Sequence, residues 1–428
     1  MNFVRVNNIF FVLVHITIKI LWSYLFFNYP TLEDTHRAFS FMHSLKAKDI
    51  YIYQLDVSYH GALIPTIFYY PFVKLLGSDI LTFRIANCIL SGISLLITLG
   101  LLKDDVKRTV FFLLFTFTPL FFQRNILFVG NYAFIPILTI LTIKTEGYLK
   151  GFFLGISIQN NILSSLLILF FPERKIKEFL IGLIIGSSPM TIFNLYNFTH
   201  SGIIPTFEDM KLRPIKNPQI DEVMKLLILT APFIPSILSR KNLIPITIIF
   251  LFLSSEERYQ IYIWTVLIFL ASENYSQKKF INILPLFSII YFVSNIPETK
   301  AYKGYIMYAY GPKHYVIDKQ EIQNEIDCVI NNIKDQKIEK VLGDIISTDF
   351  IKFYYPEIDI YYISNPWSYV IPIEFKDEPE HIIIYSEQKD HKCLFHILKN
   401  KKERKRKIYF RETGIRNIIS GFIEKLRR

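Results

Sequence analysis

Residues 8–27, NIFFVLVHITIKILWSYLFF, decide the fold. About 20 mostly apolar residues form a helix long enough to cross a hydrocarbon layer of ~30 Å. The stretch contains His15 and Lys19 and lacks a small-residue cleavage site, so we interpret it as a membrane span and not as a cleaved signal peptide. The chain therefore begins as a membrane protein.

The 428-residue chain divides into two regions of different composition. Hydrophobic residues make up 51% of it and charged residues 20%, which excludes a disordered chain and argues against a soluble enzyme. Residues 297–428, less than a third of the chain, hold about half of the charged side chains. We predict a membrane domain over residues 1–296 and a small α/β domain over residues 297–428.

Apolar runs recur through the membrane domain. Further spans are predicted at residues 80–101, 109–122, 129–143, 179–197, 223–239, 243–254, 259–271 and 279–295. Residues 151–171 have basic clusters at both ends and a polar Gln159-Asn160-Asn161 in the middle, so we predict two short helices that form a hairpin. Residues 61–76, with two prolines and Lys74, are predicted to form a helix at the membrane interface. About 11 membrane helices result.

Lysine and arginine are denser in the loops that this topology places on the side of the N-terminus. Cytoplasmic loops carry such an excess. We therefore predict a multi-pass protein of the plasma membrane, with a cytoplasmic N-terminus and an extracytoplasmic C-terminal domain. The net charge of +11 is explained by these loops, so membrane lipids are expected partners and nucleic acid is not.

The C-terminal region alternates short β-branched runs with helical patterns. Strands are predicted at 338–343, 358–363, 369–375, 381–386 and 407–410, and helices at 319–335, 389–400 and 415–427. The basic run Lys399–Lys407 is interpreted as a solvated surface, with contact to anionic lipid or a charged acceptor as the alternative. The spacing of Cys88, Cys328 and Cys393 predicts neither a disulfide framework nor a zinc site.

The first outer loop, residues 28–79, is the best candidate for reactive groups. Glu33 and Asp34 follow the first span directly, and His36 is close by. A carboxylate there can deprotonate an acceptor hydroxyl, or hold a divalent cation beside a phosphate. The alternative is that the acids cap the next helix, because Thr31-x-x-Asp34 resembles a capping box.

Other polar residues lie along the same predicted membrane face. Asp56, Tyr59 and His60 end the first outer loop, and Arg84 begins the next span, where it can bind a phosphate. Local hydrogen bonding is the alternative role of His60. His15 and Lys19 share one helix face and either pack against the Gln159–Asn161 turn or contribute to a phosphate-binding cavity.

The order of these motifs resembles the polytopic GT-C glycosyltransferases, which include protein O-mannosyltransferases and lipid A aminoarabinose transferases. The resemblance covers about half of the chain. The residues that carry it are Glu33-Asp34, His36, Tyr51, Tyr53, Asp56, Tyr59-His60-Gly61, Tyr69-Tyr70, Leu76–Asp79, Phe83-Arg84, Gly92, the stretch GFFLGISIQNN (151–161) and Pro189–Asn194.

This resemblance implies a GT-C-like catalytic domain that transfers a sugar from a polyprenyl (dolichyl) phosphate to a protein, glycan or lipid acceptor at the outer face. It assigns the role of base, or of metal or acceptor binding, to Asp34, with Glu33 as alternate. His60 and Arg84 are then candidates for the donor phosphate. In the second outer loop, where relatives carry an acid, this chain has Gln123-Arg124-Asn125, and Arg124 joins the candidate substrate-binding residues.

Two other classes of function remain open. A transporter or flippase of a lipid-linked or anionic substrate is suggested by His15, Lys19 and the broken 151–171 segment. The sequence shows no internal repeat relating two halves, a feature many transporters have. The third class is a non-catalytic membrane scaffold whose C-terminal domain binds a partner.

Overall fold

The structure of the protein is a computed structural model. It describes residues 6–26, 63–77, 80–117, 133–160, 164–165, 167–170, 173–201, 261–275, 327–328, 330–343, 359–362, 372–373, 381–385, 395–399 and 409–410. The chain separates into two compact units. The first comprises residues 1–28, 81–188 and 214–301, and the second residues 29–80, 189–213 and 302–428.

Helices make up the described part of the first unit. They are α1 (Val6–Phe26), α3 (Ile80–Leu101), α4 (Asp105–Phe117), α5 (Ile135–Lys144), α6 (Gly147–Asn160), α7 (Leu167–Phe170), α8 (Ile176–Ser201) and α9 (Ile261–Glu273). The first unit contains α3 from Leu81 onward and α8 as far as Ser188. They confirm a helix within each predicted span that the structure describes, α3 with the predicted bounds and the others with shifted ends. The spans predicted at 223–239, 243–254 and 279–295 lie outside the described residues.

Helix α2 (Leu63–Leu76) belongs to the second unit. It confirms the helix predicted over residues 61–76. Pro71 lies inside it, and the ammonium of Lys74 lies 5.7 Å from the centroid of the Tyr70 ring. Its predicted place at the membrane interface stays a prediction.

Among the described residues, one helix, Leu81–Leu101, is long and apolar enough to cross a membrane. Shorter apolar helices occur at Asn7–Leu21, Ile67–Leu76, Ile135–Lys144 and Trp264–Glu273. The long helix supports an association with membranes.

Polarity in α1 is the reverse of that in a soluble protein. Four of its polar side chains, including the ionisable ones, are buried, namely Asn8, His15, Lys19 and Ser23, whereas Asn7 and Thr17 are exposed. Phe10 and Leu13 are 62% and 59% exposed. In water, a helix turns its apolar face inward and its charged face outward. Ionisable groups of membrane helices face the protein interior instead. The distribution along α1 favours apolar surroundings.

Helices α1, α3 and α4 pack side by side. His15 contacts both Ser91 of α3 and Thr116 of α4, and the Phe11 ring of α1 stacks on Phe112 of α4 at 4.7 Å. A methyl group at Gly92 would lie 2.5 Å from a side-chain carbon of Ile16, so this glycine permits the close approach of α3 to α1. Phe11 and His15 of α1 contact Phe112 and Thr116 of α4 in the same order along the chain, so the two helices run parallel.

The chain reverses after α6, as predicted for residues 151–171. Helix α6 ends at Asn160, and the Ser164 hydroxyl donates to the Ser157 carbonyl at 3.0 Å. At the far end of the segment, Glu173 lies 3.4 Å from the ammonium of Lys150. Since Lys150 lies in the first turn of α6, the segment returns to the end of the helix from which it started. The predicted hairpin is confirmed.

Two glycine pairs bring α6 and α8 into backbone contact. A Cβ at Gly151 or Gly155 would overlap the carbonyl oxygen of Phe179 or Leu183, and Gly182 and Gly186 have the same relation to α6. Both helices thus carry the Gly-x-x-x-Gly pattern at their interface. Small residues at this spacing allow close packing of membrane helices.

Apart from Lys19 and Arg84, the charged side chains in the described part of the first unit lie in residues 103–108, 144–150 and 173–178 and at Glu273. We call these residues the charged rim. Contacts join its parts: Lys144 pairs with Glu273 at 2.5 Å and lies 4.8 Å from the Phe269 ring, which in turn meets Phe111 of α4. The ends of six helices, α3, α4, α5, α6, α8 and α9, therefore lie at the rim.

The second unit contains a six-stranded sheet. Its strands are β1 (Lys340–Gly343), β2 (Asp359–Tyr362), β3 (Pro372–Ile373), β4 (His381–Tyr385), β5 (Phe395–Lys399) and β6 (Tyr409–Phe410), in the order β3-β6-β2-β1-β4-β5. Strand β1 is parallel to β2 and β4, and the other pairs are antiparallel. Helical residues 327–328 and 330–335 precede β1, which gives the α/β pattern predicted for this region.

The helix predicted at residues 389–400 is wrong. Residues 395–399 form β5, which pairs with β4 in the register His381↔Lys399 to Tyr385↔Phe395. A short apolar run suits a helix or a strand, and the long-range pairing decides between them. The helix predicted at 415–427 and the basic run 399–407, except Lys399, lie outside the described residues.

Cys328 is disulfide-bonded, a single bond that the sequence analysis, which predicted no disulfide framework, did not anticipate. Disulfide geometry depends on the distance between Cα atoms in space, and a large separation along the chain does not prevent it. Cys88 is a buried free thiol.

Candidate functional site

A cluster of polar side chains lies between α1, α3 and α4. We call His15, Lys19, Arg84, Cys88, Ser91 and Thr116 the polar cluster; all six are buried. Thr and Ser hydroxyls hold the imidazole of His15 on both sides: Nδ1 lies 2.9 Å from Thr116 Oγ1, and Nε2 lies 2.8 Å from Ser91 Oγ. The imidazole therefore has a fixed orientation.

Lys19 lies one helical turn after His15. Its ammonium donates to the backbone carbonyl of Thr116 at 3.0 Å. The Phe115 ring stacks on the His15 imidazole, with 5.6 Å between centroids. Burying an ammonium in apolar surroundings is costly unless its donors are used. The position thus buries a basic side chain inside an apolar bundle.

Arg84 extends this basic character along α3. Its side chain is 1% exposed, and the Cys88 thiol, one turn further on, interacts electrostatically with both Arg84 and Lys19. Two buried basic side chains, one from each helix, are therefore grouped around Cys88. An arginine fork and a lysine ammonium are the side chains best suited to a phosphate.

The polar cluster has a definite depth relative to the charged rim. At a rise of 1.5 Å per residue, His15, Ser91 and Thr116 lie roughly 15 Å from the rim ends of their helices. By the same measure Lys19 lies roughly 20 Å away and Arg84 roughly 25 Å. The cluster thus extends over roughly 10 Å of helix length, away from the rim.

Of the predicted site residues, Arg84 is the one that the structure describes. Glu33, Asp34, His36, Asp56, Tyr59, His60 and Arg124 lie outside the described residues. The prediction that His15 and Lys19 share a buried face is confirmed. His15 does not bond to the Gln159–Asn161 turn, because Ser91 and Thr116 occupy both of its ring nitrogens.

Sequence reasoning missed Ser91, Thr116 and Cys88. Each is a small side chain within an apolar helical run, which makes it look like an ordinary packing residue. The available signal was periodicity: Arg84, Cys88 and Ser91 are spaced by four and three residues, so they lie on one face of α3.

A second buried polar group lies at the tip of the α6 hairpin. The Ser164 hydroxyl lies 3.0 Å from the Tyr262 hydroxyl of α9, and Gln159 and Asn160 are 2% and 1% exposed. The sequence predicted a polar hairpin turn at this place. Its hydroxyl contacts join the hairpin to α9.

Glu173 organises the charged rim. Its carboxylate accepts the backbone N–H groups of Lys175 and Arg174, each at 2.8 Å. The backbone N–H of Lys175 has the largest effect on the Glu173 carboxyl and holds its pKa below the ordinary value. Gly147, Arg174 and Lys150 also lower this pKa, whereas burial raises it. The carboxylate is therefore ionised at neutral pH and ties α6 to α8.

No group of three or more His, Cys, Asp or Glu side chains in the described part of the chain is placed to hold a metal ion. Asp34, the residue considered for a divalent cation, lies outside that part. The polar cluster itself offers cationic and neutral groups, which suit an anion better than a metal.

Comparisons with known proteins give no relative. No protein family, curated protein or solved structure matches this chain.

Proposed function

We propose that the protein is an integral-membrane glycosyltransferase of the GT-C type. It transfers a hexose from a polyprenyl-phosphate donor to a protein, glycan or lipid acceptor at the outer membrane face. The observation that carries the proposal is the burial of Lys19 and Arg84 together, around Cys88, on the two helices that flank residues 28–79.

A polyprenyl-phosphate sugar keeps its tail in the bilayer and its phosphate near the headgroups. In this proposal Arg84 lies at the depth of such a phosphate, and Lys19 lies one turn deeper. Basic groups fixed before the reaction stabilise charge that develops on a leaving phosphate, at no cost in reorganisation. In this mechanism the His15 network with Ser91 and Thr116 positions α1 against α3 and α4 and so holds the Lys19 ammonium in place.

The reaction is a single displacement at C1 of the sugar. The acceptor oxygen or nitrogen forms a bond to C1 as the bond from C1 to the phosphate oxygen breaks, and the electron pair leaves with the polyprenyl phosphate. The acceptor proton passes to the carboxylate of Asp34 or Glu33, which act from residues 28–79. The product has the opposite anomeric configuration.

The charged rim supports the orientation of the protein. It contains Lys103, Lys107, Lys144, Lys150, Arg174, Lys175 and Lys177. Because basic residues are retained on the cytoplasmic side of membrane proteins, we propose that the rim faces the cytoplasm. The Arg84 end of α3 and the C-terminal domain then lie outside, in a multi-pass protein of the plasma membrane.

Sugar transfer is tested with purified protein in nanodiscs, labelled polyprenyl-phosphate hexose and cell-envelope acceptors. We expect Asp34→Asn or Glu33→Gln to lower transfer by about 10²–10⁴-fold, because one of these acids is the general base. Asp104→Asn is the matched control, since Asp104 caps α4 through the N–H of Lys107 and asparagine caps equally well. Full activity in both loop variants would overturn the mechanism.

One observation favours a second function. The hairpin after α6 ends its first helix inside the bundle, next to Ser164 and Tyr262, and interrupted helices of this kind form substrate sites in transporters. A transporter or flippase would move the labelled lipid-linked sugar between leaflets without breaking the bond between sugar and phosphate. Recovery of intact donor from the opposite leaflet of proteoliposomes would favour that function.

A further inference from the structure

We infer that Cys328 forms its disulfide with Cys393, and that this bond is made on the extracytoplasmic side of the membrane. The chain contains three cysteines. Cys88 is a free thiol buried in the first unit, and Cys328 is disulfide-bonded. Within one chain, Cys393 is the remaining partner.

The turn before β1 puts Cys328 at a definite level of the sheet. After the helical residues 330–335, the N–H of Ile338 donates to the Ile333 carbonyl at 3.0 Å and that of Lys337 to the Lys334 carbonyl at 3.1 Å. With Lys337 at φ 52°, this is a Schellman turn, and its apolar contact is supplied by the buried Ile333 and Ile338. The chain reverses here, so the helical residues run back along β1.

Cys328 therefore lies near the carboxyl end of β1. From Asp335 back to Cys328 the helix rises by roughly 10 Å. The strand from Lys340 to Gly343 advances by a similar length, about 10 Å. The two paths have opposite directions and equal lengths, so Cys328 is level with Gly343.

The strand register defines the end of the sheet at which β5 begins. Strand β4 is parallel to β1, with Gly343 opposite Ile383, and Tyr385 at the carboxyl end of β4 pairs with Phe395 of β5. Cys393 precedes Phe395 by two residues. Along the chain, Cys393 is therefore the cysteine next to the start of β5. In our proposal the bond links the helical residues before β1 to the segment that leads into β5.

Formation of the bond needs an oxidant. A thiolate of one cysteine attacks the disulfide of an oxidised dithiol–disulfide exchange catalyst, and the second thiolate then displaces the catalyst from the mixed disulfide. Two electrons pass to the catalyst, which leaves as a dithiol, and the cysteines lose two protons. Such oxidants act outside the cytoplasm, where structural disulfides persist. The bond therefore supports the proposed extracytoplasmic location of the C-terminal domain.

The pairing is tested by counting free thiols with a maleimide–polyethylene glycol reagent after denaturation in detergent. The full-length wild type should take up one group without reduction, at Cys88, and three after reduction; the matched control Cys88→Ser should take up none and then two. Cys328→Ser should take up two without reduction, because Cys393 is released, and Cys393→Ser gives the reciprocal test. Three groups on the unreduced wild type, protected Cys393 in Cys328→Ser, or a covalent dimer would overturn the pairing.

The side of the membrane is tested in intact cells that carry the Cys88→Ser variant. A membrane-impermeant phosphine followed by an impermeant maleimide should label Cys328 and Cys393 in intact cells. Labelling that requires permeabilised cells would overturn the location. Neither result depends on sugar transfer, so this inference and the proposed function can fail separately.

Discussion

The ammonium of Lys150 and the carboxylate of Glu173 lie 3.4 Å apart at the two ends of the α6 hairpin, and both side chains are less than a tenth exposed. Glu173 also accepts the N–H groups of Arg174 and Lys175, just before α8 begins. One carboxylate thus fixes the start of α6, the end of the hairpin and the start of α8.

We expect the stabilisation by Glu173 to depend on pH. Because folding lowers the pKa of this carboxyl, Glu173 contributes its full stabilisation above the ordinary glutamate pKa, about 4.3. This stabilisation is lost as the pH falls through the lowered pKa of the folded protein. In detergent at pH 7, Glu173→Gln should therefore melt at a lower temperature than the wild type. The difference in Tm should shrink as the pH drops below 4. A difference that stays constant with pH would contradict the assignment, and Glu178→Gln serves as the control.

The glycine contact between α6 and α8 should tolerate no side chain. Gly151→Ala and Gly182→Ala place a methyl group against the carbonyl oxygens of Phe179 and Tyr148, respectively. We expect each to reduce the free energy of unfolding by about 1–3 kcal/mol, because the helices must move apart. Reversible denaturation in mixed micelles measures this change. Ile184→Leu, on the exposed face of α8, is the control and should have little effect.

The bond between His15 and Ser91 should appear as a coupling energy. A double-mutant cycle with His15→Leu and Ser91→Ala isolates the pair, and side-chain hydrogen bonds in membranes couple by about 0.5–1.5 kcal/mol. We expect a value in this range from unfolding measurements, with a matching value for His15 and Thr116. A coupling of zero for both pairs would mean that His15 is not held by the two hydroxyls.

Removing either buried cation should impair the proposed transfer reaction. We expect Lys19→Met and Arg84→Met to lower kcat/KM by about 10²–10³-fold, because each removes a group that stabilises the leaving phosphate. Arg84→Lys should restore part of the activity by restoring the charge. Lys103→Met, in the charged rim, is the matched control. Losses no larger than in this control, in variants with a wild-type Tm, would exclude Lys19 and Arg84 from the site.

Reduction should destabilise the sheet of the second unit. A disulfide that closes a loop of this length contributes roughly 2–4 kcal/mol by restricting the unfolded chain. We expect a reductant to lower the Tm of the wild type and leave that of Cys328→Ser/Cys393→Ser unchanged. An equal shift in both proteins would point to another cause.

Local patterns predicted the elements whose contacts are local or whose composition is extreme. Helix α3 was predicted with its observed bounds, since a long apolar run has one stable form in a bilayer. The break at Asn160 was readable because polar amides interrupt such a run. Strand β5 was not, because residues 395–399 become a strand through pairing with β4, and the disulfide of Cys328 depends on the same long-range fold.

The candidate site was predictable in part. Arg84, His15 and Lys19 stand out because charged residues are rare in apolar helices. Ser91 and Thr116 do not, because hydroxyl side chains in such helices commonly bond to their own backbone, as Thr98 does. Their role arises only when α1 brings His15 between α3 and α4.

The proposal of sugar transfer is tested most directly by ³¹P nuclear magnetic resonance of a polyprenyl-phosphate hexose mixed with the wild-type protein and acceptors in nanodiscs. The account predicts that the phosphodiester signal is replaced by that of a phosphomonoester, while the sugar appears on the acceptor with an inverted anomeric centre. A phosphodiester signal that persists with active, folded protein would contradict it.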